Sequence, residues 1–148
     1  MDLKERRILV SLLCTLVIFV WYSAHIYINY FADNPGLLND FTFWGKAFLM
    51  LIPISVLAQI IIHIIFAIIT KITTREDLPS KTDEMDRLIE LKTMRVAHWI
   101  FISGFVGAMA ALALGMQPWV FFVVLTLAGF VASVISEVLS IIYYRRGV

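Results

Sequence analysis

Glu137 is the one carboxylic acid set deep within a long apolar stretch of this chain. An ionised carboxylate in hydrocarbon is expensive, so such a residue faces an interior, finds a partner or carries a proton. Counted from the nearest basic flank, His63 and Glu137 each lie about eight residues inward, roughly 12 Å of helical rise. His98 follows Arg95 by three positions and is about one to two turns shallower. The expected cluster is therefore His63, His98 and Glu137, with Gln59 and Ser133 beside them. Three kinds of chemistry fit this set. Two imidazoles and a carboxylate suit a divalent metal. Glu137 with a histidine suits proton or cation coupling in a small transporter. Two histidines on different helices suit a haem. A purely structural pairing of Glu137 with a histidine or with Arg95 is favoured over all three. No His-x-x-x-His or Glu-x-x-His spacing occurs within one apolar stretch, which counts against the metal. His25 belongs to the opposite end and does not join the set.

The elements that must position these groups are four apolar stretches: residues 8–30, 46–70, 96–114 and 118–144. Each is long enough to cross a hydrocarbon core of about 30 Å. A composition that is 61% hydrophobic, with mean hydropathy +0.89, is far from that of a soluble domain. Of 12 Lys and Arg residues, only Lys46 falls outside one set of flanks. Lys4, Arg6 and Arg7 precede the first stretch. Lys71, Arg75, Lys81, Arg87, Lys92 and Arg95 lie between the second and third, and Arg145 and Arg146 follow the fourth. This asymmetry predicts an all-α four-helix transmembrane bundle, one domain, with both termini and the 71–95 segment cytoplasmic. The first apolar run exceeds the roughly 7–15 residues of a signal h-region and no small-residue cleavage site follows it, so it reads as a retained span.

Local signals sharpen the layout. Asn34-Pro35-Gly36 is a turn, and the aromatic run Phe41, Phe43, Trp44 reads as a simple interfacial anchor, the less favoured alternative being that 37–44 lies flat on the membrane. Pro53 should kink the second span. Gly115-Met116-Gln117-Pro118 is so short a link that the last two spans form a hairpin, with Gly115 as helix C-cap and Pro118 in the next first turn. Ser80 is placed to cap a helix running to Leu114 and standing about three turns clear of the membrane. Its start holds Asp83, Glu84 and Asp86 near the positive end of the helix dipole, with Arg87 in reach and Lys92 towards the headgroups. Within the spans, small and polar stripes predict close helix contact. These are Ser11, Thr15, Ile18, Tyr22, His25 and Asn29 in the first, and Ser55, Gln59 and His63 in the second. Ser103, Gly107, Ala111 and Gly115 form the third stripe, and Thr126, Gly129, Ser133, Ser136 and Ser140 the fourth.

The run Thr82 to Lys92, containing Asp83, Glu84, Asp86, Ile89 and Lys92 ahead of Arg95 and Trp99, resembles a D-E-x-D-x-x-I-x-x-K pattern. That pattern precedes the third span in small four-span prokaryotic membrane proteins of unknown function. Met85 stands where those proteins often have a charge. The resemblance implies fold and a prokaryotic inner-membrane location more than activity. Met85, Leu88, Ile89 and Leu91 would leave apolar surface above the membrane for the C-terminal tail, a second subunit or a cytoplasmic partner. No phosphate-cradling glycine loop or nucleophile motif is present, and the single Cys14 has no local activator and excludes an intrachain disulfide. No basic run suggests nucleic acid. The leading expectation is thus a non-enzymatic, oligomeric membrane bundle. Its cofactor is left unknown, with none favoured, and it docks a membrane-protein or other partner through Asp83, Glu84, Asp86, Arg87 and Lys92. The first alternative is a small proton- or cation-coupled transporter using Glu137 with His63 or His98, and the second is a metal- or haem-binding bundle.

Overall fold

The computed structural model describes residues 3–74 and 84–147, and its regular elements there are all helical. Helix α1 spans Leu3–Ile26 and continues through one wider π-helical turn, Tyr27–Phe31, which Ala32 closes by donating to the Tyr27 carbonyl at 3.0 Å. A 3-10 turn, Pro35–Asn39, leads into α2, Phe41–Thr74. Helices α3, Glu84–Ala113, and α4, Pro118–Arg146, complete the chain. All four are long and apolar enough to cross a membrane. Side chains that water would force inward stay on the surface: Leu13, Val17, Ile60, Ile64, Ile68 and Val106 are exposed. Among the described residues, the only large side chain that is fully buried is Ile89, at 2% exposure. Such an apolar exterior is what a lipid solvent permits.

The turns follow backbone chemistry. Gly115 adopts φ +79°, which an L side chain resists. Its amide donates to Leu112 O and the Met116 amide to Ala111 O, so orphan carbonyls at the end of α3 are satisfied. Pro118 then opens α4, and Gly147, at φ +68°, ends it. Asp40 caps α2 by accepting from the Thr42 amide at 2.9 Å. The helix α2 continues through Pro53, and residues 75–83, which include Pro79, Ser80, Lys81 and Asp83, lie outside the described residues.

Packing decides the rest. Helix α4 is central: it lies along α3 for most of its length and also contacts α1, which in turn packs on α2. The α3–α4 seam is made by Gly104, Ala108 and Ala111 against Ala128 and Ala132; Ala108 is 0% exposed. A Cβ at Gly104 would overlap the Ala128 Cβ, so the absence of a side chain there sets the closeness of the two backbones. This corrects the expected α3 stripe. Ser103 and Gly107 are exposed, nothing stands within 4 Å of a Cβ at Gly107, and the Ser103 hydroxyl donates to its own helix at Ile100 O. Small residues occupy several faces of 103–115; Ala111 of the expected stripe is buried, but Gly104 and Ala108 take the places expected of Ser103 and Gly107.

The aromatic end is also more than an anchor. Trp44 is buried, stacks on Phe122 with centroids 5.3 Å apart, and donates its indole N–H to Leu38 O at 2.9 Å. Phe41 to Trp44 form the first turn of α2 rather than a segment lying flat. Tyr22 of α1 donates to Ala47 O at 2.6 Å, pinning α1 to α2 near this end.

Candidate functional site

At the opposite, basic end, a cavity of about 710 Å3 opens between the helices. The element lengths explain it: α2 extends along α1 without packing tightly on α3, so its inner half leaves a gap that Thr93, Met94 and Ala97 of α3 line from the other side. Into this cavity α4 brings Ser133, Ser136, Glu137, Ser140 and Tyr144, one face of a helix at steps of three and four. Helix α1 contributes Lys4, Arg7 and Ser11, and α2 contributes His63.

The upper wall is a hydrogen-bonded network across three helices. Ser11 Oγ lies 2.7 Å from Glu137 Oε1 and 3.1 Å from Gln59 Oε1, while Gln59 Nε2 donates to Thr15 Oγ1 at 3.1 Å. A serine hydroxyl has one hydrogen, so it cannot donate to both acceptors. In this arrangement either Glu137 supplies a proton to Ser11 or the Gln59 amide turns over. The protonation of Glu137 and the orientation of Gln59 are therefore linked through Ser11. Two further atoms stand apart: Glu137 Oε2 and His63 Nδ1 are buried and have no hydrogen-bond partner among the described residues.

The floor is ionic. Lys4 Nζ donates to both carboxylate oxygens of Asp86 at 2.8 Å, and Tyr144 Oη donates to Asp86 Oδ1 at 2.7 Å. The Lys4 ammonium also lies 5.9 Å from the centre of the Tyr144 ring. Arg145 Nε approaches Glu5 Oε2 at 3.5 Å. These contacts clasp the basic ends of α1, α3 and α4 together.

The sequence-derived residues are thus divided. Glu137, His63 and Ser133 line one cavity, and Gln59 borders it through Ser11. His98 is exposed and does not line the cavity. His25 is at the aromatic end, where Asn29 Nδ2 donates to its carbonyl at 2.9 Å. Of the proposed docking motif, Asp83 lies outside the described residues, Glu84 and Arg87 are exposed, and Asp86 is taken up by the clasp. Lys92 sits 5.7 Å from the Tyr143 ring centre. Ile89, expected on the apolar docking surface, is buried, whereas Leu88 and Leu91 are exposed. Among the described residues no three His, Cys, Asp or Glu side chains group as a metal site. Sequence reasoning missed the Lys4–Asp86–Tyr144 clasp and the partnership of Ser11 with Glu137. The first has no local signal, because the three residues come from three helices. The second was half visible, since Ser11 and Thr15 share a stripe. No protein-family model, curated protein or solved structure matches the chain.

Proposed function

We propose that this chain is a small integral membrane protein, both termini cytoplasmic, that couples movement of a proton or another cation to transport through Glu137. One observation carries the reading: Glu137 and His63, on different helices, border one polar cavity at the basic end. The Ser11–Gln59 network supplies a means of registering the proton, because its hydrogen count changes with Glu137. The orientation rests on the basic flanks, and the prokaryotic plasma membrane on the motif resemblance.

Acid-minus-base infrared difference spectra of the purified protein test the proposal. A carboxyl band that titrates, and that Glu137→Gln removes while the elution volume on size exclusion stays unchanged, is the expected result. Identical spectra for the two proteins would overturn it.

A second reading, docking of a partner or a further copy on the basic end of α3, draws on the exposure of Arg87, Leu88 and Leu91. It is the less supported, since Asp86 is already engaged within the fold. Loss of a co-purifying partner or of self-association in Arg87→Glu would favour it over coupling. The metal or haem reading has the least support, with His98 exposed away from His63.

A further inference from the structure

We infer that the cargo of this site is a lipophilic organic cation, which exchanges with the proton of Glu137; the inference rests on the coupling reading above. Its basis is the succession of cavities along α1 and α4. The basic-end cavity shares Ser133 with a middle cavity of about 450 Å3. That one shares Phe19, Phe48, Leu51 and Thr126 with a third, of about 660 Å3, at the aromatic end. Together they trace a path along the bundle. Where the first two meet, Gln59 bridges to Ser11 and Thr15, with Glu137 on the basic side.

The lining changes character along that path. Beyond Gln59 the walls are rings: Phe19, Phe48, Phe101 and Phe130 in the middle, then Tyr22, Trp44 and Trp119. A small inorganic ion would lose its water there and find few oxygens in exchange. A neutral apolar molecule would pass the rings but has no use for a carboxylate. A positive centre sheathed in hydrocarbon satisfies both halves, because aromatic faces attract cations and Glu137 supplies the counter-charge. Other titratable or charged groups on the Glu137 cavity are Lys4 and Arg7 from α1, His63 from α2, Asp86 and Glu90 from α3, and Tyr144 from α4. Lys4 and Asp86 offset each other. When the cation reaches Glu137, the carboxyl proton leaves to bulk water, so charge balances one for one.

Calorimetric titration of the full chain in mild detergent with tetraphenylphosphonium tests this. Wild type should bind it and release a single proton into weakly buffered solution. Glu137→Gln should bind about tenfold more weakly or worse and release none, while Glu137→Asp retains both. Phe48→Ala should weaken binding, and the neutral triphenylphosphine oxide should bind about tenfold more weakly than the cation. No binding by wild type, equal binding by Glu137→Gln, or equal binding of the neutral analogue would each overturn the inference. The infrared titration run on the same samples separates the two levels. A titrating Glu137 band without cation binding removes only the cargo, whereas absence of that band removes the coupling reading as well.

Discussion

Gly104→Ala and Gly107→Ala form a matched pair that tests how α3 meets α4. Both add one methyl to the same helix, and both gain the same intrinsic helix preference, about 1 kcal/mol. Their difference therefore isolates the steric consequence. At Gly107 the new methyl meets nothing within 4 Å. At Gly104 it overlaps the Ala128 Cβ and comes to 3.4 Å from the Ala128 Cα, a backbone atom that no rotamer change can move. Carbon atoms settle at about 3.5–4.0 Å, so the helices must part locally by on the order of 1 Å. A gap of that size forfeits about a quarter to a half of each dispersion contact nearby. Ala108 and Ala132, buried one helical turn away, would loosen with it. The expected cost is about 1–3 kcal/mol for Gly104→Ala relative to Gly107→Ala, in line with other overpacked sites. Reversible unfolding in mixed micelles, followed by far-ultraviolet circular dichroism, measures it. Equal stability, or a larger loss at Gly107, would refute the assigned helix face.

Two further outcomes follow from the polar contacts. Asp86→Asn keeps the shape of the clasp but removes the charge that Lys4 and Tyr144 address; with Lys4 partly solvated, a loss of about 1–2 kcal/mol is expected in the same unfolding assay. An unchanged midpoint would mean the clasp contributes nothing. Gln59→Leu removes both interhelical hydrogen bonds to α1, each about 0.6 kcal/mol by the average found within membranes, so about 1 kcal/mol should be lost. Faster cysteine-reagent labelling of the buried Cys14 in this variant would locate the loosening between α1 and its neighbours, and an unaltered rate would argue against it.

Span number was legible because lipid selects on length and apolarity, which are properties of contiguous sequence. The α3–α4 hairpin was legible too: Gly115 and Pro118 act on their own backbones. Helix bounds moved outward where local signals were weak, as at Phe41–Trp44. Those rings read as an interfacial belt until Phe122, from a distant part of the chain, was seen to stack on Trp44.

Which face each helix buries was less legible. In a soluble helix, apolarity marks the inside, but here both lipid and protein interior are apolar and small residues lie on several sides of α3. Choosing Gly104 over Gly107 needed the neighbour. The same holds for the site. Sequence by itself singled out Glu137 and His63, since a carboxylate or imidazole among apolar residues is conspicuous and depth can be counted from the basic flanks. It equally offered His98, because depth along a helix says nothing of rotation about it. Tertiary structure alone turned His98 outward, brought Ser11 to Glu137 and closed Lys4 on Asp86 and Tyr144. Composition and periodicity act within one helix, whereas a cavity between helices exists only once their azimuths and separations are set against one another.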